Sequence, residues 1–370
     1  MFKRNILAIL VPALLAANAA NALEIYNKDG HQLDLYGKAD VRHAFSGNDR
    51  EDGDLSYIQL GLKGETQIAD DLSGYANWEY EVNANSTESR SHSGSRTRLA
   101  FAGLKFADYG SFDYGRNYGL IYDVNRWTDI QPIFGGDTIF NPDNFMTSRA
   151  TGVATYRNNN LFGLAEGLNV ALQYQGANRD NRDLKNQNGE GVAVSSTYDL
   201  GYGVAVGAAY SSSKRTDEQR ASYAKGKKAE AWNIGAKYDV DELYLAAMYA
   251  ETRNMTPYGR KTDHHLPGEM ENSIASKTKN IELIARYRLD FGLQPFVGFV
   301  QSKGKGLGAN GAEGNQDLLK YMTVGSSYNF NKNLSAYVNY KINLLDKNAF
   351  TEKNGLNTKD VVGIGVLYQF

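Results

Sequence analysis

Four aspartates lie in one long segment, residues 117–149, that is rich in aromatic residues, glycine and proline: Asp123, Asp129, Asp137 and Asp143. The sequence alternates like strands on both sides of this segment, which has no period of its own. So long an irregular connection is uncommon in a compact domain unless it serves a function. Carboxylates that face basic groups across a narrow aqueous gap create a transverse field. If the flanking strands close into a wide barrel, the segment can fold inward, and we predict that it forms a pore constriction.

The residues that catalysis or metal binding would need are poorly arranged. His31, His92 and the pair His264–His265 fall in predicted turns or loops, and the chain has no Gly-x-Ser-x-Gly element. The pair also lacks a cysteine or a spaced third ligand. The glycine-rich stretch from Gly304 lacks the strand–turn–helix setting of a phosphate loop. We therefore expect no enzyme activity and no cofactor.

The N-terminus is typical of an exported protein. Lys3 and Arg4 precede an apolar run over residues 6–17, and small residues follow up to Ala22. This pattern predicts a secretory signal peptide, since the run is too short to span a membrane as a helix. We expect cleavage after Ala22, so that residues 1–22 are the signal peptide and residues 23–370 form a single domain.

Composition narrows the class further. The chain has 370 residues and no cysteine, so its stability cannot come from disulfides even though export would allow them. The net charge of −2 gives no reason to expect nucleic-acid binding. No run after residue 22 is long and apolar enough for a membrane-spanning helix, but barrel strands alternate and give no such run. A large hydrogen-bonded barrel fits these facts.

The C-terminal stretch is the clearest predicted strand. Its alternate residues Val362, Ile364, Val366, Tyr368 and Phe370 place five apolar side chains on one face. The other face is small or polar. Similar alternation recurs along the chain and predicts about sixteen strands, an even number, as antiparallel closure with both termini on one side requires.

Strand spacing separates a soluble sandwich from a membrane barrel. A sandwich shows strands every 8–12 residues or so, whereas here the spacing is roughly 22 residues. Short turns are predicted at 239–242, 290–292 and 329–333, and long polar connections at 212–230, 252–279 and 302–320. Short turns at one end and long loops at the other are typical of outer-membrane barrels. The predicted fold is all-β, a sixteen-stranded antiparallel transmembrane β-barrel with an inward-folded third external loop.

Several motifs resemble a known family. They are Glu24-Ile-Tyr-Asn-Lys-Asp-Gly, Leu35-Tyr-Gly-Lys, Leu62-Lys-Gly-Glu-Thr-Gln-Ile, Thr97-Arg-Leu-Ala-Phe-Ala-Gly-Leu-Lys, Gly110-Ser-Phe-Asp-Tyr-Gly-Arg-Asn-Tyr-Gly and Tyr368-Gln-Phe. Together they resemble the enterobacterial general diffusion porins of the OmpC/OmpF type over essentially the whole exported chain. The resemblance implies a homotrimer in the outer membrane of a Gram-negative bacterium, among its lipids and lipopolysaccharide, that passes ions and small hydrophilic solutes. It also implies that the barrel-assembly machinery reads Phe370.

The same resemblance assigns residues to the constriction. Lys38, Arg98 and Arg149 match a basic half-ring on the barrel wall, and Asp129 matches the acid that faces it from the inserted loop. Asp137 follows Phe-Gly-Gly, and both an anchoring role and a pore-lining role are open for it. A charge on a lumen wall can also be simply solvated, and this alternative stays open for each residue.

Two positions depart from the family pattern. Gln59 stands where the family usually has arginine, and Ile133 stands where the loop usually has glutamate. One positive and one negative charge are therefore absent together. We expect the net charge of the ring to be unchanged, the transverse field to be weaker, and the constriction to be more apolar than in the relatives.

Two loop or strand residues match a contact between neighbouring subunits in the family. They are Glu88, in the second long loop, and Arg116. The alternative for Glu88 is a solvated loop acid. Outward aromatic side chains are expected to form an interfacial girdle or subunit contacts: Trp78, Tyr80, Phe101, Tyr174 and Tyr368.

A substrate-preferring channel, for sugars for instance, is the alternative to a general pore. Such a channel needs an aromatic path through the constriction. The segment supplies five candidate side chains, Tyr118, Tyr122, Trp127, Phe134 and Phe140.

Overall fold

The structure, a computed structural model, describes residues 22–90, 94–221, 226–259, 273–308 and 311–370. The predicted signal peptide, apart from Ala22, lies outside these ranges, as do His92, His264 and His265. The described residues form twenty strands, three short α-helices and three 3₁₀ turns. None of the helices in these ranges is long and apolar enough to cross a membrane.

The strands follow one another along the chain in this order: β1 Leu23–Lys28, β2 His31–Ser46, β3 Gly53–Asp54, β4 Tyr57–Ala69, β5 Leu72–Asn83, β6 Arg96–Phe106, β7 Gly110–Tyr118, β8 Arg149–Asn158, β9 Leu168–Gln175, β10 Gly191–Gly201, β11 Val204–Lys214, β12 Lys228–Val240, β13 Leu243–Arg253, β14 Pro257–Tyr258, β15 Ser273–Ile274, β16 Lys277–Tyr287, β17 Leu293–Leu307, β18 Gly314–Asn329, β19 Leu334–Asn343 and β20 Val361–Gln369. The helices are α1 Tyr122–Asn125, α2 Asp217–Ala221 and α3 Ala349–Lys353, and the 3₁₀ turns are Glu88–Arg90, Ala107–Tyr109 and Leu184–Asn186.

Sixteen of these strands close into one antiparallel barrel, as predicted. β2 pairs with β4, and the strands from β4 to β13 then pair in chain order. β13 pairs with β16, the strands from β16 to β20 pair in chain order, and β20 returns to pair with β2. The short strands β1 and β3 pair only with β2, and β14 pairs with β15 in a separate hairpin. Helix α1 contacts β10, β11 and β12, and Phe350 of α3 packs in one cluster with Leu307 of β17 and Leu318 of β18.

The seam of the barrel lies at the C-terminus. β20 pairs with residues 38–46 of β2, and β1 pairs with residues 31–35 of the same strand. Between these two stretches, Phe370 accepts a backbone hydrogen bond from Gly37 over 2.9 Å and donates one back over 3.0 Å. The last residue of the chain therefore takes part in closing the sheet.

The two faces of the barrel differ as the period of two predicts. On β20, Ile364, Val366 and Tyr368 are exposed on the outside. The opposite, inner face carries buried polar side chains such as Asn233 and Glu282. This arrangement is the reverse of a soluble barrel, because apolar side chains face outward and polar ones face the lumen.

The short connections are the predicted tight turns. β12 and β13 are joined by two residues, and the first of them, Asp241, has a φ of 49°. Two-residue hairpin turns need such a left-handed residue, and aspartate tolerates it better than most side chains. The long connections 215–227 and 254–276 lie at the opposite ends of their strands, as predicted.

The predicted loop at residues 302–320 is wrong. β17 and β18 extend into it, pairing Ser302 with Leu319 and Leu307 with Gly314, so that only residues 308–313 connect them. The register shifts twice in this part of the ladder. Such bulges interrupt the alternation of side chains, and for this reason the sequence pattern looked irregular.

The outward position predicted for Phe101 is also wrong. In the β5–β6 ladder Glu79 pairs with Leu99 and Tyr80 pairs with Thr97, so Arg98 is an extra, bulged residue. The bulge turns Leu99 and Phe101 to the inner face, where the Phe101 ring lies 6.3 Å from that of Tyr75. The other predicted outward aromatics, Trp78, Tyr80, Tyr174 and Tyr368, are exposed or half-buried.

Candidate functional site

The segment between β7 and β8 packs against the inner face of the barrel wall. At its start, Arg157 of β8 donates two hydrogen bonds to Asp123 of α1 over 2.9 and 3.0 Å, and the Ser195 hydroxyl of β10 donates a third over 2.5 Å. A bidentate guanidinium–carboxylate pair fixes orientation as well as distance. These contacts position α1 inside the ring of strands.

Apolar packing holds the next turn of the segment. Val124 and Trp127 lie over Gly207 of β11 and Gly235 of β12, where an added Cβ would come within 2.6–2.8 Å of their side chains. Glycine at these two inner positions leaves the space that the segment fills. The Tyr244 hydroxyl also donates to the carbonyl of Trp127 over 2.7 Å.

A buried glutamate on β16 holds the middle of the segment. The Glu282 carboxylate accepts hydrogen bonds from the Thr128 hydroxyl over 2.5 Å, from the Thr138 hydroxyl over 2.5 Å and from the Thr138 amide over 3.0 Å. Three donors satisfy most of the acceptor capacity of one carboxylate. Residues on both sides of the loop tip are thus held at one point of the wall.

The tip of the segment reaches strands far from its origin. Gly135 donates its amide to the Tyr321 hydroxyl over 3.1 Å, and that hydroxyl donates to Asp137 over 2.6 Å. The terminal methyl of Ile133 lies 2.2 Å from where a Cβ on Gly363 of β20 would stand. The segment therefore crosses from β7 to β18–β20 on the polar face of the sheet.

An aqueous cavity of about 910 Å³ remains between the segment and the opposite wall. Five of the seven predicted constriction residues line it, namely Lys38, Gln59, Arg98, Asp129 and Ile133. The other two, Arg149 and Asp137, are not among its lining residues within the described chain. Lys38 comes from β2 and Asp129 from the inserted segment, so groups of opposite charge border one cavity.

Asp129 accepts a hydrogen bond from a tyrosine of the same segment. The Tyr122 hydroxyl donates to its carboxylate over 2.8 Å, and the Tyr122 ring stacks on Tyr118 at 4.6 Å between centroids. Burial raises the pKa of the Asp129 carboxyl, while the hydrogen bond from Tyr122 opposes that rise. An acid with a raised pKa loses its charge at a higher pH than an exposed one.

Arg149 and Asp137 take buried or wall-side positions. Arg149, at the start of β8, is buried with its guanidinium 5.3 Å from the ring of Phe140 and 5.9 Å from that of Tyr118. Asp137 accepts the Tyr321 hydrogen bond near β18.

The basic wall is more neutral than the sequence predicted. Arg98 donates to Glu79 over 2.6 Å and to Glu81 over 2.8 Å, and Glu81 also pairs with Arg96. Sequence reasoning did not predict these two acids as partners of Arg98. Their signal was present, because the alternation of β5 places Glu79 and Glu81 on its polar face. It missed Arg157 and Glu282 as well, which no local motif marks.

The predicted subunit contact splits into two different environments. Glu88 is exposed and forms no ion pair with any residue that the structure describes. Arg116 is engaged within its own chain, donating to Asp143 over 2.5 and 2.9 Å, to the Thr97 carbonyl over 2.9 Å and to the Thr151 hydroxyl over 2.8 Å. Among the described residues, four of its five N–H groups have acceptors, and one N–H on Nη2 has none.

The histidines and potential metal ligands form no site in the described ranges. His31 hydrogen-bonds Thr66 over 2.6 Å and His43 packs on Phe45 with ring centroids 4.6 Å apart. Among the described residues, no three histidine, aspartate or glutamate side chains are grouped so that they could hold a metal ion.

Comparison with known proteins gives the family of this fold and cavity. Residues 28–370 match the family described as Gram-negative porin. The chain belongs to the Gram-negative porin family. It is 61% identical to outer membrane protein F of Serratia marcescens and 55% identical to outer membrane porin N of Escherichia coli K12, each over 100% of both chains. This porin is therefore an outer-membrane channel protein and not an enzyme.

Solved structures agree with this assignment. The structure described as Salmonella typhi OmpF in complex with daunomycin shares 47% identity with this porin, covers 94% of it and all of the solved chain, and superposes with a TM-score of 0.85. An anion-selective porin from Comamonas acidovorans is 15% identical with a TM-score of 0.67 over 92% of this chain and 100% of the solved one, which shows the shared fold alone.

Proposed function

We propose that this porin is a passive diffusion pore for ions and small hydrophilic solutes, whose selectivity is set by a charged constriction. The observation that carries the proposal is that Asp129, on the inserted segment, borders the same aqueous cavity as Lys38 and Arg98 of the wall. Opposed charges across a narrow aqueous gap orient dipolar solutes and discriminate between ions. Gln59 and Ile133 reduce the charge on each side, so the field is weaker and the gap more apolar.

Conductance and swelling experiments test this function. Purified porin in planar bilayers should give stable steps of current, and proteoliposomes should swell in sugars at rates that fall smoothly with sugar size. A silent bilayer would contradict the pore. Asp129→Asn should change the reversal potential in a salt gradient. Glu166→Gln, which removes an exposed acid in the turn between β8 and β9, should leave the reversal potential unchanged.

A substrate-preferring channel is the second candidate. In its favour, Tyr118 and Tyr122 stack on each other, and both line the cavity together with Trp127. Against it, Phe134 and Phe140 are not among the lining residues of the cavity in the described ranges, and Phe134 lies under Lys341, with the ammonium 5.5 Å from the ring. The five aromatic side chains thus do not form one exposed path. A single sugar that saturates the swelling rate and departs from the size order would favour this alternative.

The partners of this porin are proposed to be further copies of itself, outer-membrane lipids and lipopolysaccharide, its solutes, and the barrel-assembly machinery. The homotrimer is supported by exposed Glu88 and by the remaining N–H of Arg116, which an acid from a partner copy can use. The lipid contact is supported by the exposed apolar side chains outside the barrel. The machinery is proposed to read Phe370 before its backbone closes the seam.

A further inference from the structure

Four neighbouring strands present one row of side chains to the lumen. In the register of β2, β4, β5 and β6, Lys38 pairs with Gln59, Gln59 with Glu81, and Glu81 with Arg96. The bulge beside this row adds Arg98 on the same face. Glu81 therefore stands in the middle of the wall that was predicted to be basic.

Glu81 is shared between two arginines. One carboxylate oxygen accepts from Nη1 of Arg98 over 2.8 Å, and the other pairs with Nη2 of Arg96. The side chain of Glu81 is 5% exposed, that of Arg98 18% and that of Arg96 55%. Glu79 accepts from Nε of Arg98 on the other side. On β5 and β6, two acids thus balance two arginines.

We propose that Glu81 is a specificity-determining residue of this pore, whose carboxylate cancels the positive charge of Arg98 and so sets the preference for cations over anions. The inference deepens the proposed function and rests on it. Without Glu81 this part of the wall would carry one net positive charge facing Asp129. With Glu81 present, both arginines are balanced, and Lys38 is the cation of this row that lines the gap and keeps its positive charge without a carboxylate beside it in the row.

The position of Glu81 also bears on the departure at residue 59. Because Gln59 lies directly opposite Glu81, a cation introduced at residue 59 would meet the same carboxylate. The loss of a positive charge at residue 59 and the presence of a negative charge at residue 81 therefore act in the same direction. Both make the wall less basic.

The test compares charge-changing variants in planar bilayers. Glu81→Gln should lower the cation-to-anion permeability ratio, read from the reversal potential in a potassium chloride gradient, by about threefold near 0.1 M salt. The shift should shrink toward 1 M salt, where the screening length falls to about 3 Å. Glu81→Asp, which keeps the charge, should stay near the wild-type ratio.

A matched control removes the same charge elsewhere in the lumen. Glu65 of β4 lines the same cavity and accepts a hydrogen bond from Ser73 over 3.0 Å, away from Arg98. Glu65→Gln should therefore shift the ratio less than Glu81→Gln. Equal shifts would mean that only total lumen charge matters, and would overturn the assignment to Glu81.

The outcomes separate this inference from the proposed function. A wild-type protein that conducts, with a Glu81→Gln ratio that is unchanged or insensitive to salt, overturns the role of Glu81 and leaves the pore standing. A wild-type protein that never conducts overturns the pore itself. If Glu81→Gln fails to assemble, Glu81→Asn carries the same expected shift, and an unchanged ratio in that variant overturns the role equally.

Discussion

Thr138 donates two hydrogen bonds to Glu282, one from its backbone amide over 3.0 Å and one from its hydroxyl over 2.5 Å. Thr128 donates a third to the same carboxylate. Because Glu282 belongs to β16 and both threonines to the segment inserted between β7 and β8, one side chain fixes the segment on both sides of its tip. These contacts tie the segment that borders the cavity to the barrel wall.

Removing that carboxylate should loosen the segment without breaking the barrel. Glu282→Ala leaves the amide and hydroxyl donors of Thr138 without their acceptor, a cost of about 1–3 kcal/mol per buried group that water entering the lumen reduces. The Thr128 hydroxyl keeps the Asn125 carbonyl as acceptor over 3.0 Å. We expect noisier single-channel current. In a background where Trp78 and Trp232 are replaced by phenylalanine, acrylamide should quench the fluorescence of Trp127 more efficiently. Glu282→Gln keeps one acceptor oxygen, so its effects on current noise and on quenching should be smaller than those of Glu282→Ala. Unchanged quenching in Glu282→Ala would contradict the anchoring role.

The barrel itself was predictable because a period of two in the sequence translates directly into two faces of a strand. The anchor was not predictable in the same way. Thr138 and Glu282 are 144 residues apart, and only closure of the ring brings them together. The bulge at Arg98 was equally hidden, because a bulge is defined by pairing register and not by composition. That single extra residue reversed the face expected for Phe101.

The charge balance of the constriction was predictable only in part. Lys38 and Asp129, singled out by their motifs, line one cavity, and their role in a constriction stays a prediction. The neutralisation of Arg98 was not foreseen, although Glu79 and Glu81 were on the polar face of the predicted strand. Which of several polar residues on neighbouring strands will pair depends on register, and the sequence pattern leaves register open.

Acidification should shift the ion selectivity of this pore toward anions, and this shift should begin at a higher pH than the titration of exposed carboxylates would give. Burial raises the pKa of Asp129, so as the pH falls its carboxylate takes up a proton above the ordinary aspartate value of about 4. The gap then loses a negative charge, and the cation-to-anion permeability ratio should fall. Reversal potentials measured from neutral pH downward check this. Asp129→Asn should lack this part of the titration, and identical titrations in both proteins would rule Asp129 out as its source.

Restoring the two absent charges should strengthen the transverse field. The double variant Gln59→Arg with Ile133→Glu adds one charge of each sign, so the net charge is kept while dipolar solutes gain an orienting field. We expect the reversal potential and the relative permeation of a zwitterionic and a neutral solute of equal size to change. Gln59→Arg alone should act weakly, because Glu81 faces residue 59, and more strongly with Glu81→Gln. If neither selectivity nor dipolar permeation changes in the double variant, the weakened-field hypothesis fails.

The proposed contact between copies makes Glu88 important for assembly although it has no partner within the described chain. Arg116 keeps one Nη2–H after bonding Asp143, Thr97 and Thr151, and a carboxylate from a neighbouring copy can accept it. Glu88→Gln should therefore lower the temperature at which the trimer dissociates on a denaturing gel, with unchanged barrel secondary structure by circular dichroism. The matched control is Glu166→Gln, an exposed acid in the turn between β8 and β9 at the other end of the barrel. A hydrogen bond to a charged group is worth about 1.5–3 kcal/mol, so its loss at the interface should lower the dissociation temperature measurably. Equal dissociation temperatures for wild type and Glu88→Gln would show that Glu88 is a solvated loop acid.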